Sequence, residues 1–400
     1  MTISPAPSQE RMRRDPQEIS RSFGISAEDY MLPAQEQIQI VAPDGSLASP
    51  GDRQAGHEYP LPPREQLLTA YAALVTGRRI NDQNSALVRQ GRMAVYPSSH
   101  GQEACQIAAS LCLEPGDWLF PTYRDAVSVI TRGVDPVEAM MLFRGDWHGG
   151  YDPLEHRIGI QCTPLTTQLL HAVGVAQAAQ LRGEDTVVLA MCGDGATSEG
   201  DFHEALNFAA VSGAPVIFFV QNNKYAISVP LAQQSAAPSL AHKAVGYGMA
   251  GERVDGNDVA ALLAVLGRAV GLVRSGSGPL LVEANTYRIQ AHTNADDASR
   301  YREDEEVAEW LGKDPIARMR AYLRGTGDLD DQQEQEIADH AERIAVQLRD
   351  GMNAEPELDP QDLFRFVYAG RNPQLAEQAE LLAEELGRAD QQNSDETGGL

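Results

Sequence analysis

Apolar residues along this chain fall into two kinds of run. One kind recurs every three to four positions. From Pro63 onward, Leu67, Leu68, Tyr71, Leu74 and Val75 repeat at helical spacing, behind two prolines of the sort a helix start tolerates. GQEACQIAASLCL, from Gly101, predicts a second helix. The other kind is continuous. DWLF (117–120), TVVLAMC (186–192), PVIFFVQ (215–221) and PLLVEANTY (279–287) are short apolar blocks with no polar alternation. Between them lie helical patterns at 166–183, 201–213 and 258–276. A strand without alternation is covered on both faces. Strands of that kind alternating with helices predict an α/β protein built on a doubly wound parallel sheet.

The flanks read differently. Residues 1–60 are rich in Pro, Ser, Gln and charge and predict a largely irregular arm, with one short strand at IQIVAPDG (38–45). Residues 61–325 carry the alternating pattern and form the predicted main domain. Beyond it, 326–400 is helical and acidic, ending in an amphipathic helix (Leu375, Leu381, Leu382, Leu386) and a disordered tail. We find no internal repeat.

Charge narrows the function. The chain holds 32 basic and 57 acidic residues, a net charge of −25. Nucleic-acid binding needs a basic footprint, and anionic membrane surfaces repel such a chain. No run of ~20 apolar residues is present, and the N-terminus has no apolar signal core, so nothing predicts a membrane span or secretion. Cys105, Cys112, Cys162 and Cys192 form no CxxC pair and read as reduced thiols of a cytoplasmic protein.

The candidate chemistry sits where strands end. TVVLAMC runs into Gly193-Asp194-Gly195, and PVIFFVQ runs into Asn222-Asn223. Ligands of a parallel sheet bind beyond its carboxyl edge. Asp194 and Asn223 are hard oxygen donors, as Mg²⁺ requires, and Mg²⁺ usually completes its shell with substrate phosphates. The glycines let a ligand approach the backbone, and the helix starting near Gly200 aims N–H groups at an anion. GDG alone is more often a plain tight turn, and an Asn pair a strand-end cap. Residues 196–221 separate the two knots, one strand–helix–strand step, which brings both to one point.

GDG, this gap and NN together resemble the thiamin diphosphate-binding motif. With FPTYRDA, GDGATSEGDFHEALNFAAV, QNNKYAIS, YGM…RVDGND and TYR…H…DD…RYR, the chain from about Pro63 to Leu323 resembles the alpha subunit of the decarboxylating component of 2-oxo acid dehydrogenase complexes. The resemblance implies that Asp194 and Asn223 bind Mg²⁺ through side chains and Tyr225 through its carbonyl. It places Gly193, Gly195, Ala196, Tyr123 and Arg124 at the diphosphate. Thr163 and Leu165 fall at the aminopyrimidine, with Leu165 forcing a bent cofactor. His292 contacts the diphosphate and assists acyl transfer, and His148 in FRGDWHGG matches an active-site histidine. By residue type alone Leu165 would be core, and each histidine an exposed loop residue.

Other implications concern partners. In that family the glutamate that activates the aminopyrimidine comes from a beta subunit. The chain would therefore hold one half of the cofactor in an α₂β₂ heterotetramer and hand its acyl group to a lipoyl acyltransferase. The small-residue face Ala172, Gly174, Ala176, Ala178 fits a subunit interface or packing on the chain's own sheet equally well. NFAAV, YGM and RVDGND favour branched-chain 2-oxo acids (the 3-methyl-2-oxobutanoate type), and FRGDWHGG favours pyruvate. Two departures matter. Gln221 stands where some relatives carry an arginine, and Thr293 where mammalian relatives carry a regulatory serine. A non-catalytic assembly subunit and a transketolase-like enzyme are the competing classes. The first is disfavoured by the intact Asp194, Asn223, Arg124 and His292, the second by length.

Overall fold

The computed structural model describes residues 32–48, 59–145, 150–354, 359–365 and 367–397. Five strands form one parallel sheet: β1 (Trp118–Phe120), β2 (Val188–Gly193), β3 (Val216–Asn222), β4 (Ala250–Asp255) and β5 (Leu280–Asn285). They lie in the order β1-β2-β3-β5-β4, every neighbouring pair parallel. The continuous apolar runs are explained by alternation between two cores. Leu189, Met191, Ile217 and Phe219 join one apolar cluster, while Val188, Ala190, Cys192, Val216, Phe218 and Val220 join the other. Helices Arg64–Arg89, Glu103–Leu111 and Val259–Arg274 cover the first face, and Thr167–Arg182 and Gly200–Ser212 the second.

Two readings of the sequence need correction. β4 was not foreseen. Its AGERVD carries Glu252 and Arg253 in place of an apolar run, because it is the sheet edge and those two positions are only half-buried. The strand expected at 38–45 reduces to single bridges, Ile38 to Val254 and Val41 to Leu47. Asp258 caps the helix Val259–Arg274 and also accepts the N–H groups of Ile40 and Val41, at 2.7 and 2.8 Å. That capture turns the segment off the sheet after one bridge.

The small-residue face divides. Ala172 and Ala176 are buried in the second core, Ala178 is half-buried, and Gly174 is exposed. All four cysteines are free, two of them buried.

By compactness the chain separates into two units, Met1–Met352 and Asn353–Leu400. Helix Asp331–Asn353 belongs with the first, burying Ala341, Ala345, Leu348 and Met352. In the second, helix Pro373–Thr397 extends past the leucine pattern, leaving Leu381 and Leu386 exposed. Among the described residues no helix is long and apolar enough to cross a membrane.

Candidate cofactor and cation site

The carboxyl ends of β2 and β3 open on a cavity of about 210 Å³. The chain reaches it in steps that the local sequence dictates. β2 ends at Gly193, and Gly195–Ser198 forms a tight 3₁₀ turn. A side chain at Gly195 would lie 2.7 Å from Ala226 Cβ, so only glycine allows the two loops to meet. Gly193 has open space beside it and leaves its backbone facing the cavity. After β3, Lys224 (φ 77°) and Ile227 (φ 55°) take left-handed backbone, which turns Tyr225 back towards the Asp194 side. Non-glycine residues rarely adopt that conformation, and it concentrates at functional sites.

Asp194 is 1 % exposed. Its Oδ1 accepts the Asn223 backbone N–H at 3.2 Å and its Oδ2 accepts Gln234 Nε2 at 2.8 Å. Burial pushes its carboxyl pKa up, against the pull of those bonds. Asn223 Oδ1 faces Asp194 Oδ1 and the Tyr225 carbonyl oxygen, each at 3.1 Å. Three oxygens with no proton between them repel. Turning the amide over would aim its nitrogen at both, but would also set its oxygen against Gln102 Oε1, now 2.9 Å from Asn223 Nδ2. A hard cation placed among the three oxygens would resolve the conflict instead. Octahedral oxygen coordination at ~2.1 Å has edges of ~3.0 Å, close to the spacing seen. Among the described residues no three His, Cys, Asp or Glu side chains cluster as metal ligands. The present set mixes one carboxylate, one amide and one carbonyl.

The two adjacent asparagines diverge, as successive strand residues must. Asn222 points away from the cavity and donates to Glu283 Oε1 at 2.7 Å. It is structural.

The same cavity is lined by a cationic group. Arg124 is 5 % exposed, donates through Nη1 to the Ser98 carbonyl at 2.8 Å and sits 5.5 Å from the Tyr123 ring. Its Nη2 lies 3.1 Å from His292 Nδ1 and donates to the His292 carbonyl at 3.1 Å. A guanidinium can only donate, so Nδ1 accepts and the neutral ring carries its proton on Nε2. Burial, then Arg124 and Arg288, push the His292 pKa down to about 4. Asp296 fixes the loop by accepting the His292 backbone N–H at 2.7 Å, and it also accepts the Tyr301 hydroxyl at 2.5 Å. Arg288, 1 % exposed, donates to the Tyr225 carbonyl at 3.2 Å and to Tyr301 Oη at 2.9 Å.

The cavity thus collects Tyr123, Arg124, Leu165, Gly193, Asp194, Gly195, Ala196, Asn223, Tyr225 and His292. Leu165 is 43 % exposed and stands at its wall, so it is not core. Thr163 is exposed and is not among the lining residues; Thr166 and Gln168 line the wall there instead. His148 lies outside the described residues. Sequence reasoning missed Gln102, Asp125, Gln234 and Arg288. Asp125 and Arg288 stand inside quoted motifs and were within reach. Gln102 and Gln234 gave no signal, because an amide near a helix end is unremarkable until its partners are known.

The doubly wound sheet, with a cavity at its carboxyl edge lined by Asp194, Asn223, Arg124 and His292, places the chain among α/β proteins that bind ligands at that edge. The chain matches the family described as "Dehydrogenase E1 component" over residues 71–360 and belongs to it. It is 46 % identical over 355 residues to the 3-methyl-2-oxobutanoate dehydrogenase subunit alpha of Mycobacterium tuberculosis (strain ATCC 25618 / H37Rv), covering 89 % of this chain and 95 % of that one. It is 38 % identical over 322 residues to the pyruvate dehydrogenase E1 component subunit alpha of Staphylococcus aureus (strain Mu50 / ATCC 700699), covering 80 % and 87 %.

Proposed function

We propose that the chain is the alpha subunit of a thiamin diphosphate-dependent 2-oxo acid dehydrogenase. It acts on branched-chain 2-oxo acids of the 3-methyl-2-oxobutanoate type and works in an α₂β₂ heterotetramer. The reading rests chiefly on one observation: three oxygens of Asp194, Asn223 and Tyr225 converge at a cavity that Arg124 and His292 also line. That arrangement would suit a divalent cation together with an anionic diphosphate. Bound thiamin diphosphate supplies the electron sink for decarboxylation.

The chain's own residues bind and orient. Asp194, Asn223 and the Tyr225 carbonyl would hold Mg²⁺, and the cation offsets the cost of a buried carboxylate. Arg124 offers a fixed charge for phosphate oxygens. His292, held neutral with its proton on Nε2, is a hydrogen-bond donor and proton carrier at the cavity wall. Leu165 would lend an apolar side chain to the cavity wall beside the cofactor. The beta subunit would complete the site, and the lipoyl group of an acyltransferase would take the acyl product.

Branched-chain substrate is favoured by the 46 % identity to a 3-methyl-2-oxobutanoate dehydrogenase subunit, with pyruvate second on the 38 % relative. The α/β pair should be assayed with both acids. A kcat/KM at least about tenfold higher for 3-methyl-2-oxobutanoate, ~1.4 kcal/mol, is expected, and a tenfold preference for pyruvate reverses the assignment.

A further inference from the structure

Gln221 removes a charge that some relatives carry, but its contacts give it another role. Gln221 Nε2 donates to Asp125 Oδ1 at 2.7 Å. Gln102 Nε2 donates to Gln221 Oε1 at 3.1 Å. Asn223 Nδ2 donates to Gln102 Oε1 at 2.9 Å. All four side chains are buried, with Asp125 fully enclosed. The other Asp125 oxygen is taken by the Thr122 N–H, at 2.7 Å.

This chain of bonds has a direction. A carboxylate can only accept. Asp125 therefore requires a nitrogen from Gln221, which leaves the Gln221 oxygen for Gln102. Gln102 must meet it with nitrogen, which leaves its own oxygen for Asn223. Asn223 must then spend its nitrogen on Gln102 and present oxygen to Asp194 and Tyr225. Reversing any one amide reverses all three and sets Gln221 Oε1 against Asp125 Oδ1. In water an amide turns over freely, but in this buried relay its orientation is decided by a carboxylate three side chains away.

We infer that Asp125, Gln221 and Gln102 are positioning residues that hold Asn223 oxygen-first for the cation. The inference rests on the cation site proposed above and adds what sets its polarity. Asp125→Asn removes the compulsory acceptor. The amide introduced there can donate to the Gln221 oxygen, so the relay can reverse and turn the Asn223 nitrogen towards the cation. Asn223→Asp makes that orientation irrelevant, because either oxygen of the new carboxylate binds metal. A carboxylate at position 223 also prefers the reversed relay, since it can only accept from Gln102.

The test is Mn²⁺ binding to the α/β pair with thiamin diphosphate, read from the electron paramagnetic resonance signal of free Mn²⁺, not from turnover. D125N should raise the Mn²⁺ half-saturation at least tenfold against an unchanged Asn223. Against N223D the same D125N change should not weaken Mn²⁺ binding, because the reversed relay suits a carboxylate at 223. Equal effects of D125N in the two backgrounds, or no effect in the first, overturn the relay. If D125N does not assemble, Q221M cuts the same chain and should show the same background dependence. D194A separates the two layers. If it leaves Mn²⁺ binding intact, the cation site and the relay both fail. If it abolishes binding while D125N changes nothing, the site stands and only the relay fails.

Discussion

The two walls of the cavity are built in opposite ways. The oxygen wall stands just beyond the ends of β2 and β3 and is buried: strand register, with Gly193 paired to Gln221, sets Asp194 and Asn223, and the left-handed turn at Lys224 sets Tyr225. The cationic wall is Arg124 after β1 and a loop, 286–302, whose His292 is partly exposed. Its conformation rests on polar contacts, among them those of Arg288, Asp296 and Tyr301, the Arg302 guanidinium on the Arg288 and Ile289 carbonyls, and Arg124 on the His292 carbonyl. A sheet-borne site holds its geometry before any ligand arrives. A loop-borne one owes its geometry to bonds worth about 1 kcal/mol each and can move. The cation end is thus the rigid reference, and the His292 end the adjustable part.

The sharpest way to break that contrast is at Asp194. Asp194→Ala should lower decarboxylation by the α/β pair at least about 1,000-fold, ~4 kcal/mol, at saturating cofactor and Mg²⁺. Survival of activity there would mean the oxygen wall is only a turn. Arg124→Ala comes next. It removes the buried charge and the His292 anchor together, and should weaken cofactor binding about 30- to 100-fold by calorimetry, or 2–3 kcal/mol. Mn²⁺ stoichiometry should remain unchanged in that variant, since the oxygen wall does not depend on Arg124. Tyr301→Phe should act on the loop alone. Losing its bonds to Asp296 and Arg288 costs about 1 kcal/mol. Proteolysis within 286–302 should quicken severalfold with no change in cation half-saturation.

The smallest effect concerns pH. The His292 pKa is pushed down to about 4 in the folded chain, from an ordinary value of 6.5. The unfolded loop therefore binds more protons between those values, so folding stability from this group is complete above pH 6.5 and declines as pH falls towards 4. Hydrogen exchange across 286–302 should accelerate by about threefold between pH 7 and 5 beyond its intrinsic change, given partial solvent screening. His292→Asn should abolish the difference. Equal loop protection at both pH values in the unaltered chain would put His292 in solvent.

Much of this was legible in the sequence because buried strands announce themselves. VVLAM and VIFFV have no polar alternation, and a polar knot directly after each can only lie at the carboxyl edge. β4 was illegible for the same reason inverted: as an edge strand it keeps Glu252 and Arg253. Asp194, Asn223 and Arg124 were readable by residue type and place. Gln102 was not, and the link from Gln221 to Asp125 was not although both residues stand in quoted motifs, because an amide reveals neither its partner nor its orientation until neighbours from three separate segments are assembled around it. Of the TPL motif, Pro164 and Leu165 line the cavity, while Thr163 is exposed beside them.

The central claim is that Asp194, Asn223 and Tyr225 form one oxygen clamp for a divalent cation. The most direct measurement is anomalous diffraction from crystals of the α/β pair grown with thiamin diphosphate and Mn²⁺. The account predicts one strong peak per alpha chain, bonded to the Asp194 carboxylate, Asn223 Oδ1 and the Tyr225 carbonyl oxygen. A peak bound elsewhere, or an Asn223 amide with its nitrogen turned to Asp194, would contradict it.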